Sequence, residues 1–204
     1  MKKSFSITVG FIALLTVYIQ FYLMIENRIS SIYETIFRFF SFFTILTNLL
    51  VGIYFLFSYI NQKKGSFLFI SKPGILTSVT VYITIVGLVY QFALRHVWEP
   101  KGLQMIVDEL LHSIIPFLVI VFWYFYEYKN AVHYKVILKW LLYPIIYLMF
   151  ILLRGYFSNY YPYPFINVGI LGVSKVIVNS FILVFAFTFI SLLFVKIGHK
   201  ISKT

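Results

Sequence analysis

Six long apolar stretches constrain this chain more than any other feature. They cover residues 5–25, 36–60, 75–94, 105–126, 138–153 and 166–195. A helix needs about 20 mostly apolar residues to cross the hydrocarbon core of a bilayer. Four stretches meet that length easily; the fifth is short, and the sixth is long and contains Lys175. The intervening segments, 26–34, 61–74, 95–102, 127–139 and 154–164, carry charge, Gly or Pro. Only 11% of the 204 residues are charged and 61% are hydrophobic, whereas a soluble domain has about 25% charged residues. That is too little polar side chain to coat a water-soluble globule, and too much apolar side chain for a disordered one. The pattern predicts an all-α fold, a single polytopic domain over 1–204 with six transmembrane helices. The first stretch follows Lys2 and Lys3, as a signal peptide would. It exceeds a usual signal core and no small-residue cleavage site follows, so it reads as a retained helix. With no Cys, disulfides, thiolate metal sites and cysteine nucleophiles are excluded.

Basic residues set the orientation. The N-terminus, the second and fourth loops and the C-terminus hold eleven: Lys2, Lys3, Lys63, Lys64, Lys72, Lys129, Lys135, Lys139, Lys196, Lys200 and Lys203. The opposite segments hold five: Arg28, Arg38, Arg95, Lys101 and Arg154. This bias predicts both termini in the cytoplasm and a multi-pass protein of the plasma membrane. The net charge of +11 then reflects topology and contact with anionic lipid headgroups rather than binding to nucleic acid. Trp98 falls at the outer boundary and Trp123 and Trp140 near the inner one, where amphipathic rings settle.

Polar residues inside a span usually face the bundle interior and find a partner there. Read as one helix, the second span puts Ser41, Thr44 and Asn48 on one face below Arg38, with Thr44 about 10 Å deep. The fourth span puts Asp108 and His112 on one face, His112 again about 10 Å deep, and Pro116 one turn later. The fifth ends at Arg154, and the sixth carries Lys175 about 14 Å in, with Asn179 one turn below. Arg38, Thr44, Asn48, Asp108, Glu109, His112, Arg154 and Lys175 thus converge on the outer half of the membrane. One polar cavity is expected there, lined mainly by spans two, four, five and six. Each residue has an ordinary alternative. Arg38 and Arg154 can snorkel to headgroups, Thr44 and Thr47 can bond their own helix carbonyls, and Asp108 and Glu109 can pair with Arg95 or Lys101. His112 is the only histidine within a span, and Lys175 lies too deep to snorkel easily.

A histidine beside a hydroxyl is the minimal nucleophile–base pair. His112 could take the proton of Thr44, Asp108 could orient His112, and Lys175 or Asn48 could stabilise an oxyanion. Ester or amide hydrolysis of an amphiphile fits those groups. Paired haem histidines, a P-loop, a dinucleotide fingerprint and a G-x-S-x-G elbow are absent from the sequence, and a zinc site would need more ligands than His112, Asp108 and Glu109 on one helix. No cofactor is expected. A proton-coupled or small-solute transporter also uses buried Lys, His and Asp. A scaffold or lipid-binding protein would use the cluster only to hold helices together.

The run Lys139-Trp140-Leu141-Leu142-Tyr143-Pro144, then Tyr147, Arg154-Gly155 and Tyr161-Pro162-Tyr163-Pro164-Phe165-Ile166-Asn167-Val168, resembles the bacterial six-span Pr6Pr membrane family. The segment from Arg38 through Thr44, Thr47 and Asn48 to Leu50, the run His112-Ser113-Ile114-Ile115-Pro116, Trp123 and Asn179 agree with it. That family is distantly similar to the androgen-induced, FAR/AIG-like membrane proteins, which hydrolyse fatty acid esters of hydroxy fatty acids through one Thr and one His. The resemblance implies membrane lipids as partners and a lipid ester as substrate. By motif it puts the histidine on His112 and the threonine on Thr44, with Thr47 as runner-up because the Thr-to-Asn spacing is four rather than three. The Y-P-Y-P-F segment reads as an interfacial turn, or as a lid over the cavity, with its tyrosines in the headgroup layer.

Overall fold

The computed structural model describes residues 1–64, 70 and 72–202, with only the backbone of 61–64. Lys203 and the side chains of Lys63 and Lys64, counted above for orientation, lie outside the described residues. The protein is 82% helical, and among the described residues six helices are long and apolar enough to cross a membrane. It is an all-α, multi-pass membrane protein.

The chain opens with α1 (Lys2–Glu26), followed by the short α2 (Ile32–Phe39) and by α3 (Phe43–Lys64). The second apolar stretch is therefore two helices rather than one. The cause is local. Ser41 turns its hydroxyl back onto the Phe37 carbonyl at 2.6 Å, competing with the helical ladder. The amides of Ser41 and Phe42 bond only three residues back, to Arg38 and Phe39. Ser41 thus lies in the break, and does not share a helix face with Thr44 and Asn48. Ser31 caps α2 by accepting from the Glu34 amide at 3.3 Å, a good N-cap residue at the right position.

Helix α4 (Ile75–Val89) continues as a π-turn, Tyr90–Leu94. The fourth span runs from α5 (Leu103–Glu109) through a second π-turn, Leu110–Ile114, into α6 (Ile115–Tyr126). Two short helices then interrupt the run. These are α7 (Ile137–Trp140), leading into the long α8 (Leu142–Ser158), and α9 (Val168–Leu171), ahead of the last span, α10 (Val173–Ile201). Gly172, at φ 76°, separates α9 from α10 in a backbone conformation that glycine adopts without steric cost. The last crossing therefore starts at Val173, not near residue 166. Lys175 consequently sits on its first turn and is exposed, which corrects its expected depth.

Burial decides the arrangement. Two thirds of the α4 span is buried, against 17% for α10 and 22% for the α8 span, so α4 is the central helix and α8 and α10 face outward. Phe122 sits between Phe5 and Phe55, edge-on to both at 5.5 and 4.8 Å, knitting α6 to α1 and α3. Trp123 and Trp140 are 3% and 6% exposed. They pack between helices: Trp123 donates to the Thr77 hydroxyl and the Trp140 carbonyl accepts from Tyr82. Both termini lie at one end. Lys2 covers the Tyr126 ring, and His199 donates to the Val132 carbonyl at 2.8 Å. The candidate site lies at the other end.

Candidate functional site

A cavity of about 1000 Å³ occupies the end of the bundle opposite the termini. Its size is at the upper end of the usual range for ligand pockets, about 300–1000 Å³. Thr44, Arg38, Asp108 and His112 line it, as read from sequence, but the helices around it differ from expectation. Its walls come from α1, α2, the start of α3, the π-turn after α4, α5 with its own π-turn, and the connecting segments. Spans five and six contribute only the loop between them, at Tyr160 and Pro162–Pro164.

The structure brings Thr44 and His112 together. Thr44 Oγ1 lies 3.4 Å from His112 Nε2. His112 Nδ1 lies 2.8 Å from the Asp108 backbone carbonyl, which can only accept. Nδ1 therefore carries the proton, and Nε2 faces Thr44 as an acceptor. The Asp108 carboxylate does not orient His112. It accepts from Trp98 Nε1 at 2.7 Å and from Gln104 Nε2 at 3.0 Å. The backbone carbonyl of the same residue holds the ring instead, and Tyr90 stacks on its face at 4.1 Å.

Proline chemistry explains how His112 is presented. Pro116 has no N–H to give the His112 carbonyl, and its ring would clash there in a regular helix. The chain widens into the Leu110–Ile114 π-turn directly before it, a feature frequent at functional sites. The freed carbonyl rests against Gly87, where an added Cβ would come within 2.9 Å of it. Four side chains then bind the two π-turns into one unit. Gln91 donates to Ser113 at 2.9 Å, and Ser113 to Glu109 at 2.7 Å. Arg95 donates to Glu109 and, at 2.6 Å, back to Gln91. The ring is closed. It also realises the expected pairing of Glu109 with Arg95.

The other predicted residues divide. Asn48 is fully buried and spends both amide hydrogens on backbone carbonyls, of Thr44 at 2.9 Å and Leu111 at 3.3 Å. It fastens α3 to the π-turn and has no donor left for an oxyanion. Thr47 is turned away, bonded to the Tyr143 hydroxyl at 3.2 Å. Arg38 and Arg154 share the Glu34 carboxylate at 2.8 and 3.1 Å and both lie against the Tyr160 ring. Together they tie α2 to α8 across the rim. Asn179 donates to the Phe165 carbonyl at 2.7 Å and anchors the loop. Lys175 lines neither cavity described here.

No family model matches this chain, and neither does any curated protein or solved structure.

The site residue that the sequence places only in the Y-P-Y-P-F turn, and not at the dyad, is Tyr163. It is 8% exposed and stacks on Phe165 at 5.2 Å. Its hydroxyl accepts from the Thr44 amide at 3.3 Å and lies 3.5 Å from Thr44 Oγ1. A second, apolar slot of about 60 Å³ lies nearby, and Thr44 and Tyr163 line both spaces. The Y-P-Y-P motif could have signalled this packing. Its neighbour Tyr161 fills the gap over Gly155, where an added Cβ would overlap the ring at 2.0 Å.

Proposed function

We propose that this integral membrane protein is a lipid-ester hydrolase in which Thr44 is the nucleophile and His112 the general base. The observation that carries the reading is the 3.4 Å approach of Thr44 Oγ1 to the acceptor nitrogen of His112. His112 Nε2 takes the Thr44 proton as Oγ1 attacks the ester carbonyl. The same nitrogen then returns the proton to the departing alkoxide, leaving an acyl-threonine. His112 then deprotonates a water that attacks the acyl-threonine, and passes that proton to Thr44 Oγ1 as the acyl–oxygen bond breaks, releasing the acid and restoring the threonine hydroxyl. The two spaces beside Thr44 suit an amphiphile, with the polar part in the large cavity and an apolar segment against the slot. The resemblance of its motifs to the Pr6Pr family points to the same assignment, and the charge bias supports an outward-facing site in the plasma membrane. Lys175, one of the three ionisable residues a transport reading would use, is exposed on the first turn of α10.

The test uses purified full-length protein in nanodiscs, a fluorophosphonate probe and a panel of long-chain esters. Wild type is expected to be labelled on Thr44 and to turn over at least one ester. Thr44→Ala and His112→Ala are expected to lose at least 100-fold in kcat/KM, within the range for general-base catalysis, while Thr47→Val keeps activity. Equal labelling and turnover of wild type and His112→Ala would overturn the reading.

A further inference from the structure

The attack just described places negative charge on the ester carbonyl oxygen, and that charge needs a donor. Neither donor expected from sequence is available. Lys175 is exposed on α10, and both Asn48 amide hydrogens are committed to backbone carbonyls.

We infer that the Tyr163 hydroxyl is the oxyanion donor of the Thr44–His112 site, and so a third catalytic residue delivered by the loop between the last two spans. This rests on the hydrolase reading above. Hydrogen-bond directions lead to it. His112 Nδ1–H is given to the Asp108 carbonyl, so Nε2 must accept. The Thr44 hydroxyl hydrogen therefore points to His112. Tyr163 accepts from the Thr44 amide, one of the early α3 amides that have no partner inside the helix. Tyr163 Oη lies 3.5 Å from Thr44 Oγ1, a contact in which either oxygen can donate; with the Thr44 hydrogen given to His112, the Tyr163 hydrogen is the one free to serve it. In the resting state Tyr163 thus holds the nucleophile. When Oγ1 bonds to the carbonyl carbon, the new oxyanion arrives beside the same O–H, which transfers its hydrogen bond to it. No proton leaves Tyr163 in this step. The tyrosine hydroxyl replaces a donor bond to the nucleophile with one to the developing charge.

Two features equip Tyr163 for this. Burial pushes its phenol pKa up, so at neutral pH the donor proton stays in place. The side chain is also rigidly held. Phe165 stacks on the ring, Phe42 meets its edge at 5.8 Å, and prolines flank it on both sides. A preorganised donor has little reorganisation left to undergo during the reaction.

The decisive variant is Tyr163→Phe, which keeps the ring and removes the hydroxyl. Its kcat is expected to fall about 100- to 1000-fold, the usual effect of losing one oxyanion donor, with KM and melting temperature close to wild type. Fluorotyrosines at position 163 keep the hydroxyl and make it a stronger donor, and are expected to retain wild-type kcat or exceed it. If Tyr163→Phe turns over within threefold of wild type while His112→Ala is inactive, Tyr163 is not the donor and the dyad stands. If Tyr163→Phe melts early, the fluorotyrosines decide, and a kcat that drops with donor strength refutes the assignment. If wild type hydrolyses none of the esters and takes no probe, the dyad reading fails and the Tyr163 assignment fails with it.

Discussion

Glu34 holds two guanidiniums on one carboxyl, and that ties part of the rim's stability to its ionisation. The hydrogen bond from Arg38, backed by the charge of Arg154, keeps its carboxyl below the ordinary glutamate value of 4.5. A carboxyl held down in the folded state stabilises the fold above its unfolded-state value, and that contribution disappears as pH falls through its folded value. Glu34 is a third exposed and Arg38 a quarter, so the contribution is small, about 1 kcal/mol at most. Wild type is expected to melt about 2–4 °C above Glu34→Gln at pH 7, with the gap closing below pH 4.5. A gap that stays constant across melts from pH 7 to pH 3 would rule this out. At this scale the sequence was informative where a residue sits inside a helix. Thr44 and His112 could be paired because helical rise turns residue number into depth. Tyr163 could not be, because it reaches Thr44 from a loop 119 residues away, and loops have no period. Lys175 was misplaced because the apolar run continues through residues 166–172, and hydropathy does not register the turn at Gly172.

At the scale of elements, the two π-turns do what a plain helix could not. They bring the Tyr90 ring face to face with His112 while Pro116 is accommodated below. Gly87 is the contact that allows this, since the backbone of α4 passes directly over the His112 carbonyl. Gly87→Ala puts a methyl group 2.9 Å from that oxygen, and neither backbone can yield easily. It is expected to destabilise the protein by about 1–3 kcal/mol, as overpacking does. It is also expected to reduce Thr44 labelling more than a remote variant of equal melting temperature. Labelling that simply tracks stability would show that the π-turn does not govern the site. The six crossings were legible from length and apolarity, and Pro116 signalled a distortion, though not its form. The break at Ser41 was not legible, because a serine in an apolar run does not reveal whether its hydroxyl will compete with the ladder.

The whole molecule has two unlike ends. One gathers both termini and most of the lysines, and the other holds the cavity and the Glu34 cluster. From the charge bias, the first is expected to face the cytoplasm. The chain has no cysteine, so single introduced thiols report topology without background. Ser30→Cys is expected to react with a membrane-impermeant maleimide on intact cells, and Lys135→Cys only after permeabilisation. The reverse pattern would invert the protein and turn the cavity inward. The closed ring of Gln91, Ser113, Glu109 and Arg95 links the third and fourth spans at the cavity end. Each member bonds two others, so a change at one disturbs two bonds at once. Substitutions at these four positions are therefore expected to be non-additive in stability, which double-mutant cycles would read.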